Sequence, residues 1–493
     1  MSKDIKDVSD IKFKDLKGLS NDLPSTPKNI AFIHPDLGIG GAERLVVDAA
    51  IGLQSKNHNV TIYTSHCDKT HCFEEVSSNQ LNVKVYGDFL PTSILKKFHI
   101  LFAILRQFYL VLRLILTNEI SNYDYFIIDQ LSFCIPLLNV FVNKNCKILF
   151  YCHFPDLLLS KDGGVLKKLY RLPFDLIEEW STGVSDKIVV NSNFTKLIFY
   201  KTFTNLSSIQ LGTIYPCVDV EVKEDKNIDE EVLNFFNSSK YFISINRFER
   251  KKNIELAIRS FCKFKKSFHS KSKLRLVIAG GYDARINENV AYLKDLEKLC
   301  VELKLMSFTI RGKLIIMPPS TDVLFLPSIR SNLKNSLIKY SEILLYTPSF
   351  EHFGIVPVES MLFKTPVLAV NNGGPLESIV NYDGDNLDIA TGFTEEPNFE
   401  KWSKILLNYF NYDDETKLKL GENGFKRVLE IFSRDKMSDA FLKELTDYKE
   451  NSRGWLWNKN WKGKGKYCIR LWKIVLVVLI GVLLSLGVKE SMS

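Results

Sequence analysis

The sequence predicts an α/β chain of two doubly wound, parallel-sheet domains facing across a cleft, with a C-terminal membrane anchor. Three observations carry that reading. Residues 30–34 form a short apolar strand that passes through a glycine turn into a helical stretch, residues 42–53, and then a second strand, residues 60–64. This is a β-α-β unit, which implies a parallel sheet. From Tyr241 the same alternation starts again, and residues 474–488 form an apolar run behind a basic, tryptophan-rich flank.

Length and composition fit that plan. The chain has 493 residues, enough for two or three domains, and its 45% apolar and 25% charged residues are ordinary for a folded protein. Nine cysteines, an odd number with no regular framework, lead us to expect reduced thiols. Residues 1–29 are polar and lysine-rich and lack the apolar core of a signal peptide, so they read as a flexible leader. The net charge of +8 is densest near the C-terminus, and no nucleic-acid partner is expected.

In the first half, the glycine turn does not fit a dinucleotide site. The pattern starting at Gly38 would need glycine at Glu43, and no acid closes the strand at residues 60–64. Gly40 and Gly41 suit either a phosphate or sugar approaching helix N–H groups, or a tight turn with positive φ. His66, Cys67, His71 and Cys72 look metal-like, but adjacent ligands lack the usual zinc spacing, and a strand-end loop is expected. Residues 98–117 are mainly apolar, with His99, Arg106 and Arg113 on one helical stripe. Two readings stay open: a helix lying in a membrane interface, which the spacing of the arginines favours, or a helix covering the sheet. His153 follows a buried strand, residues 147–151, at the end where open α/β sheets bind ligands. Asn193-Phe194-Thr195 is a glycosylation sequon that, without a signal peptide, is not expected to be used.

The charged segment 219–240 reads as the linker. After the strand at residues 241–245, Arg247 and Lys252 leave its C-terminal end together, a clamp and a mobile point charge suited to a diphosphate. A later strand leads to Glu351-His352-Phe353-Gly354-Ile355-Val356-Pro357-Val358-Glu359. Glu351 would sit on a loop and Glu359 in the helix beyond, whose first N–H groups attract negative charge. Asn372-Gly373-Gly374 makes another glycine turn at a strand end.

Taken together these motifs resemble one family. The order Gly40-Gly41-Ala42-Glu43, then His153 before Pro155, Arg247 with Lys252, and Glu351 with Glu359 is similar to the GT-B retaining glycosyltransferases of family four. The wording HPDLGIGGAERLVVDAA, YCHFPDLLLS, NRFERKKNIELAI, PSFEHFGIVPVESM and NNGGPLESI narrows the resemblance to mannosyltransferases of dolichol-linked oligosaccharide assembly. It runs from about residue 30 to 432 and implies two Rossmann-like domains. The expected reaction moves mannose from GDP-mannose, first α-1,3 and then α-1,6, onto a dolichyl-diphosphate-linked oligosaccharide with retention. Carried over by position, Arg247 and Lys252 bind the donor diphosphate, Glu351 orients the mannose and Glu359 holds the ribose. Phe353, Gly354 and Ile355 complete the donor loop, His153 lies near the transferring sugar, and Gly40 and Gly41 approach the acceptor or phosphates. No metal or other cofactor is expected, because the two cations take that role. A transferase using a UDP-sugar on another lipid, or an idle scaffold, are the competing functions.

The resulting plan is a leader at 1–29, an acceptor domain at 30–218, a linker at 219–240 and a donor domain at 241–432. A helix at 433–450 then has room to cross back to the first domain. A basic tryptophan-rich segment follows at 451–470, and a transmembrane helix at 471–488. About 18 residues at roughly 1.5 Å each give roughly 27 Å, close to a bilayer core. Basic residues before the run lead us to expect the catalytic domains in the cytosol, and the resemblance implies the cytosolic face of the endoplasmic reticulum membrane. ER lipid is thus an expected partner, and association with neighbouring mannosyltransferases of the pathway is left open.

Overall fold

The computed structural model describes residues 26–93, 99–159, 165–221, 225–237, 239–268 and 273–447, and, near the end, 469, 470, 472–474, 476, 477, 480 and 481. It contains two seven-stranded sheets, all of whose strand pairs are parallel. The first is built from β1 (Asn29–Asp36), β2 (Asn59–His66), β3 (Asn82–Val85), β4 (Tyr125–Asp129), β5 (Lys147–Cys152), β6 (Lys187–Val190) and β7 (Gly212–Thr213). Their order across the sheet is β3-β2-β1-β4-β5-β6-β7. The second contains β8 (Lys240–Ile245), β9 (Leu274–Gly280), β10 (Ser307–Thr309), β11 (Val323–Pro327), β12 (Leu344–Tyr346), β13 (Val367–Val370) and β14 (Gly392–Glu395), in the order β10-β11-β9-β8-β12-β13-β14. The central strands are buried on both faces, as runs such as Ile30-Ala31-Phe32-Ile33 and Leu276-Val277-Ile278-Ala279 require.

Both orders reverse at the first strand of the domain, so each sheet opens a crevice beyond the carboxyl ends of its central strands. In the first domain this brings the ends of β1, β4 and β5 side by side. In the second it gathers the loops after β8, β12 and β13.

Two expectations are corrected. The His99–Leu116 helix is, among the described residues, the one long and apolar enough to cross a membrane. Yet it covers the first sheet, with Phe102, Leu105, Phe108, Leu110 and Val111 in the core. Arg106 is buried with it and donates to Asp36 Oδ1 at 2.9 Å and to the Ser65 carbonyl at 3.2 Å. An arginine buried and ion-paired inside the fold is not one facing lipid headgroups, so the interface reading gives way. The segment read as a linker also carries a helix, Lys226–Phe236, capped by Asp225. Its Val232 and Phe236 are buried, and Phe236 stacks on Tyr241 at 4.1 Å. Ile228, Val232 and Phe235-Phe236 recur at helical spacing, but surrounding charges mask the pattern.

The chain crosses between domains at two adjacent points, where Val218 N–H donates to the Phe432 carbonyl at 2.9 Å. Beyond the second crossing, the Arg434–Thr446 helix lies on the first domain. Phe441 packs against Phe32 and Tyr151, with ring centroids 6.4 and 5.9 Å away. Gly52 admits this helix closely: a Cβ there would lie 2.0 Å from Ser438 Oγ. Arg434 anchors it by donating to Asp48 at 3.0 Å and Asp219 at 2.8 Å. The expected leader lies outside the described residues up to residue 25, and so does most of 451–470 and of the anchor at 471–488. Of the described residues there, Trp472 is buried beside Trp180, 5.9 Å between centroids, while Ile474 and Val477 are exposed.

Candidate active site

The second domain's wall starts from the loop between β12 and the Ile355–Leu362 helix. Phe350 and Gly354 both take positive φ, +57° and +81°, so the chain bends twice around Glu351. The glycine turn after β13 lies directly beneath. Gly374 N–H donates to the Glu351 carbonyl at 2.8 Å. Gly373 has φ +70°, and a Cβ on it would fall 2.5 Å from that same oxygen. Glycine is required there by both conformation and contact. Pro357 sits in the first helical turn, where a missing N–H costs nothing.

Glu351 pairs with Lys252, which is 9% exposed at the end of a short turn, Arg250–Lys252. The Lys252 carbonyl accepts from Thr347 Oγ1 at 2.7 Å, tying the two loops together. Glu359 is held by Lys334 at 2.7 Å, a partner that sequence did not suggest. Arg247 stands apart from the Lys252–Glu351 pair. Its side chain is 62% exposed and pairs with Glu249 at 3.0 Å. Phe353 is 4% exposed and packs between Tyr215 and Phe432, so its side chain serves the core.

On the facing wall, a buried aspartate lies between two histidines. Asp129 Oδ2 is 2.7 Å from His34 Nδ1, and its Oδ1 is 2.6 Å from His153 Nε2. Burial disfavours charge on His34, but Asp129 and then Glu43 outweigh it and push its pKa up to about 9. Burial likewise works against the Asp129 carboxylate, but His153 and His34 bring its pKa down to about 2. Gly40 is the extended residue before the Gly41–Ser55 helix, with φ −163°, and Gly41 is not among the positive-φ glycines. The tight-turn reading is therefore corrected: the two glycines open a helix start. A Cβ on Gly41 would meet nothing within 4 Å.

Between the walls lies a cavity of about 610 Å³, lined among others by Gly41, His153, Glu351, Phe353, Gly354, Ile355 and Glu359. Arg247, Lys252 and Gly40 are not among its lining residues, although Lys252 touches it through Glu351. Arg44 and Lys334 also face it. The domains meet across the cleft. His352 stacks on Phe154, rings 3.7 Å apart and 7° from parallel. Burial brings the His352 pKa down to about 4. Glu377, beside the glycine turn, accepts from the backbone N–H of Asn193 at 2.8 Å and of Phe194 at 2.7 Å, and from Tyr215 OH at 3.0 Å. It thereby caps the Asn193–Thr202 helix from the other domain, alongside the local cap Ser192.

His34, Asp129, Lys334 and Glu377 were missed. His34 and Asp129 had the same signal as His153, a polar side chain at the carboxyl end of an apolar strand; only the strand order makes them neighbours. Lys334 and Glu377 carry no comparable signal. Among the described residues no cluster of three or more His, Cys, Asp or Glu is placed to hold a metal ion, and eight cysteines are free thiols.

Comparisons with known proteins identify the family and the fold. Residues 225–427 match the family model described as Glycosyl transferases group 1, and residues 39–222 match Glycosyltransferase Family 4. The chain is 62% identical to the alpha-1,3/1,6-mannosyltransferase ALG2 of Debaryomyces hansenii, over 94% of this chain and 98% of that one. It is 64% identical to ALG2 of Candida albicans, over 84% and 97%, and 49% identical to that of Saccharomyces cerevisiae, over 84% of each. Among solved structures, the catalytic domain of starch synthase IV from Arabidopsis thaliana, bound to ADP and acarbose, is similar with a TM-score of 0.64 at 14% identity, over 86% and 99%. A glycosyltransferase from Rickettsia africae gives 0.60 at 17%, over 85% and 98%. At those identities the likeness concerns the fold, which is GT-B.

Proposed function

This chain belongs to the alpha-1,3/1,6-mannosyltransferase ALG2 family, and from that premise we propose how its cleft works. It is a glycosyltransferase that adds α-1,3- and α-1,6-linked mannose during assembly of the N-glycan precursor. In our reading the donor is GDP-mannose and the acceptor a dolichyl-diphosphate-linked oligosaccharide, met on the cytosolic face of the endoplasmic reticulum. The observation that carries the site is the Lys252–Glu351 pair beside the cavity, opposite His153.

The donor diphosphate lies against Lys252 and the free N–H groups that open the Ile355–Leu362 helix, where cation and helix dipole both favour negative charge. Arg247, exposed and paired with Glu249, turns in to complete the clamp. Lys252 has three donors, so it grips Glu351 and a phosphate oxygen together. Glu351 accepts hydrogen bonds from mannose hydroxyls, and Glu359, steadied by Lys334, accepts from the ribose. The acceptor hydroxyl then attacks the anomeric carbon on the face from which the phosphate departs. The carbon–oxygen bond to the phosphate breaks, the new glycosidic bond forms, and the hydroxyl proton passes to the leaving phosphate. Lys252 and Arg247 stabilise the charge that develops on the diphosphate, and we propose that transfer runs without a divalent metal.

The test is the purified full chain with GDP-mannose and a lipid diphosphate carrying mannosyl-chitobiose. Mass spectrometry is expected to show one and then two added hexoses; product with UDP-sugars alone overturns the donor assignment. Deleting residues 451–493 is expected to move the protein from the membrane pellet to the supernatant, since the other apolar helix is packed on the first sheet.

A further inference from the structure

We propose that the turn after β6, residues 191–194, brings the two walls of the cleft into register. Ser192 is a positioning residue that sets the Glu351 loop when the domains close, as Asn191 sets the His153 loop. This rests on the placement of Glu351 and His153 beside the transferring sugar. It goes beyond that placement by naming what fixes the separation of two residues that stand on different domains.

The parallel register pairs Cys152 of β5 with Val190 of β6. Both strands end there, so His153-Phe154 and Asn191-Ser192 leave the sheet side by side. Only two residues separate β6 from the Asn193–Thr202 helix, and the turn is buried, with Asn191 5% and Ser192 0% exposed. Ser192 Oγ accepts from the Thr195 N–H at 3.0 Å, which starts the helix. Each residue of the turn then reaches a different part of the cleft. Asn191 Nδ2 donates to the His153 carbonyl at 3.1 Å. Ser192 Oγ donates to the carbonyl of His352, the residue after Glu351. The N–H groups of Asn193 and Phe194 meet Glu377. Beside them the Phe154 ring lies flat on the His352 ring. Four consecutive residues thus touch the loop of His153, the loop of Glu351 and the glutamate beside the glycine turn.

A serine hydroxyl has one proton to give. Thr195 Oγ1 at 3.0 Å and Asn191 Oδ1 at 3.3 Å are alternative acceptors within the same domain. When the second domain moves away the proton turns to one of these, and no buried donor is left without a partner. The bond to His352 therefore adds little to the stability of the closed form, which Glu377 supports instead. What it supplies is position. A hydrogen bond holds only over a narrow range of distance and angle, and the Phe154–His352 stack limits how the Glu351 loop can tilt. In our reading the donor is bound by groups of the second domain, so its affinity does not depend on the turn.

The experiment uses the full chain, donor kinetics at a fixed lipid acceptor, and a separate measurement of GDP binding. Ser192→Gly removes the hydroxyl while costing the helix start only a few tenths of a kcal/mol. It is expected to lower kcat by roughly 10–10²-fold, the scale of a misplacement of about 1 Å. Donor KM and the Kd of GDP should stay within about twofold. An unchanged kcat, or GDP affinity lost along with kcat, overturns the proposal. In a Glu351→Ala background the same change is expected to cost less than about twofold, because its effect passes through that loop. Losses that simply multiply overturn the proposal and leave the role of Glu351 intact. Phe154→Leu should repeat the loss confined to kcat, and Phe154→Tyr, which keeps the ring, should restore most of the rate. If thermal unfolding shows Ser192→Gly to be unfolded, the Phe154 pair decides: equal rates in the two variants overturn the proposal. Full activity in Glu351→Ala removes the placement of Glu351 itself, an outcome distinct from multiplying losses.

Discussion

Glu351 and Lys252 are each other's counter-charge in a place where water reaches little of the lysine, whose side chain is 11% exposed. Removing one leaves the other poorly compensated, so neither variant reports a single lost contact. Lys252→Ala is expected to lower kcat by about 10²-fold and weaken donor binding, and Glu351→Ala to lower kcat at least as far. Steady-state kinetics of the double variant should show less than the product of the two losses. The His34–Asp129 pair makes a different prediction, for stability. The pKa of His34 rises from 6.5 to about 9, so its contribution is full below about 6.5 and is lost as pH rises towards 9. The pKa of Asp129 falls from 3.8 to about 2, so its contribution is full above about 3.8 and is lost as pH falls towards 2. Melting temperature against pH should show a plateau between those limits, with the alkaline fall missing in His34→Gln. At this scale the sequence revealed residue types that suit a sugar nucleotide, but not their partners. Lys334 holding Glu359 depends on how one helix faces another, and Arg247 was legible as a cation but not as one pointing to solvent.

At the scale of elements, the strands and the glycine turns were legible because buried parallel strands are apolar runs and tight approaches demand glycine. Gly373 is the sharpest case: Ala there must take φ +70° and meet the Glu351 carbonyl. Gly373→Ala is expected to cost about 1–3 kcal/mol, read as a lower melting temperature, and to reduce activity by displacing Glu351. The less legible elements were those with mixed signals. The Lys226–Phe236 helix hides its apolar positions among charges. The His99–Leu116 helix has the composition of a lipid-facing segment, and the pairing of Arg106 with Asp36, Asp88 and the Ser65 carbonyl explains its buried arginine.

The two domains are joined by more than their crossings. Glu377 serves the second domain through Arg427, which donates to its carbonyl at 2.7 Å, and the first through the start of the Asn193–Thr202 helix. Losing such a cap costs about 1 kcal/mol, which is roughly a fivefold shift of an open–closed balance. Glu377→Ala is accordingly expected to enlarge the radius of gyration in small-angle scattering and slow the reaction, with secondary structure unchanged. The two-domain plan itself could be read from sequence as repeated α/β alternation, whereas contacts between the domains, such as Glu377 with Asn193 and His352 with Phe154, link residues far apart in the chain and leave no local pattern.

The helix at Arg434–Thr446 has a bearing on how the protein is made. Its Met437, Phe441, Leu442 and Leu445 complete a core that otherwise belongs to the first domain. During synthesis that apolar surface emerges long before its cover. At about 5–20 residues per second, the interval between residue 218 and residue 446 is roughly 10–45 s. Through that time the nascent first domain carries an open hydrophobic face over the Gly41–Ser55 helix, a surface for chaperones or for aggregation. Ribosome-bound chains stopped before residue 434 should therefore be more sensitive to protease than chains extended past residue 446.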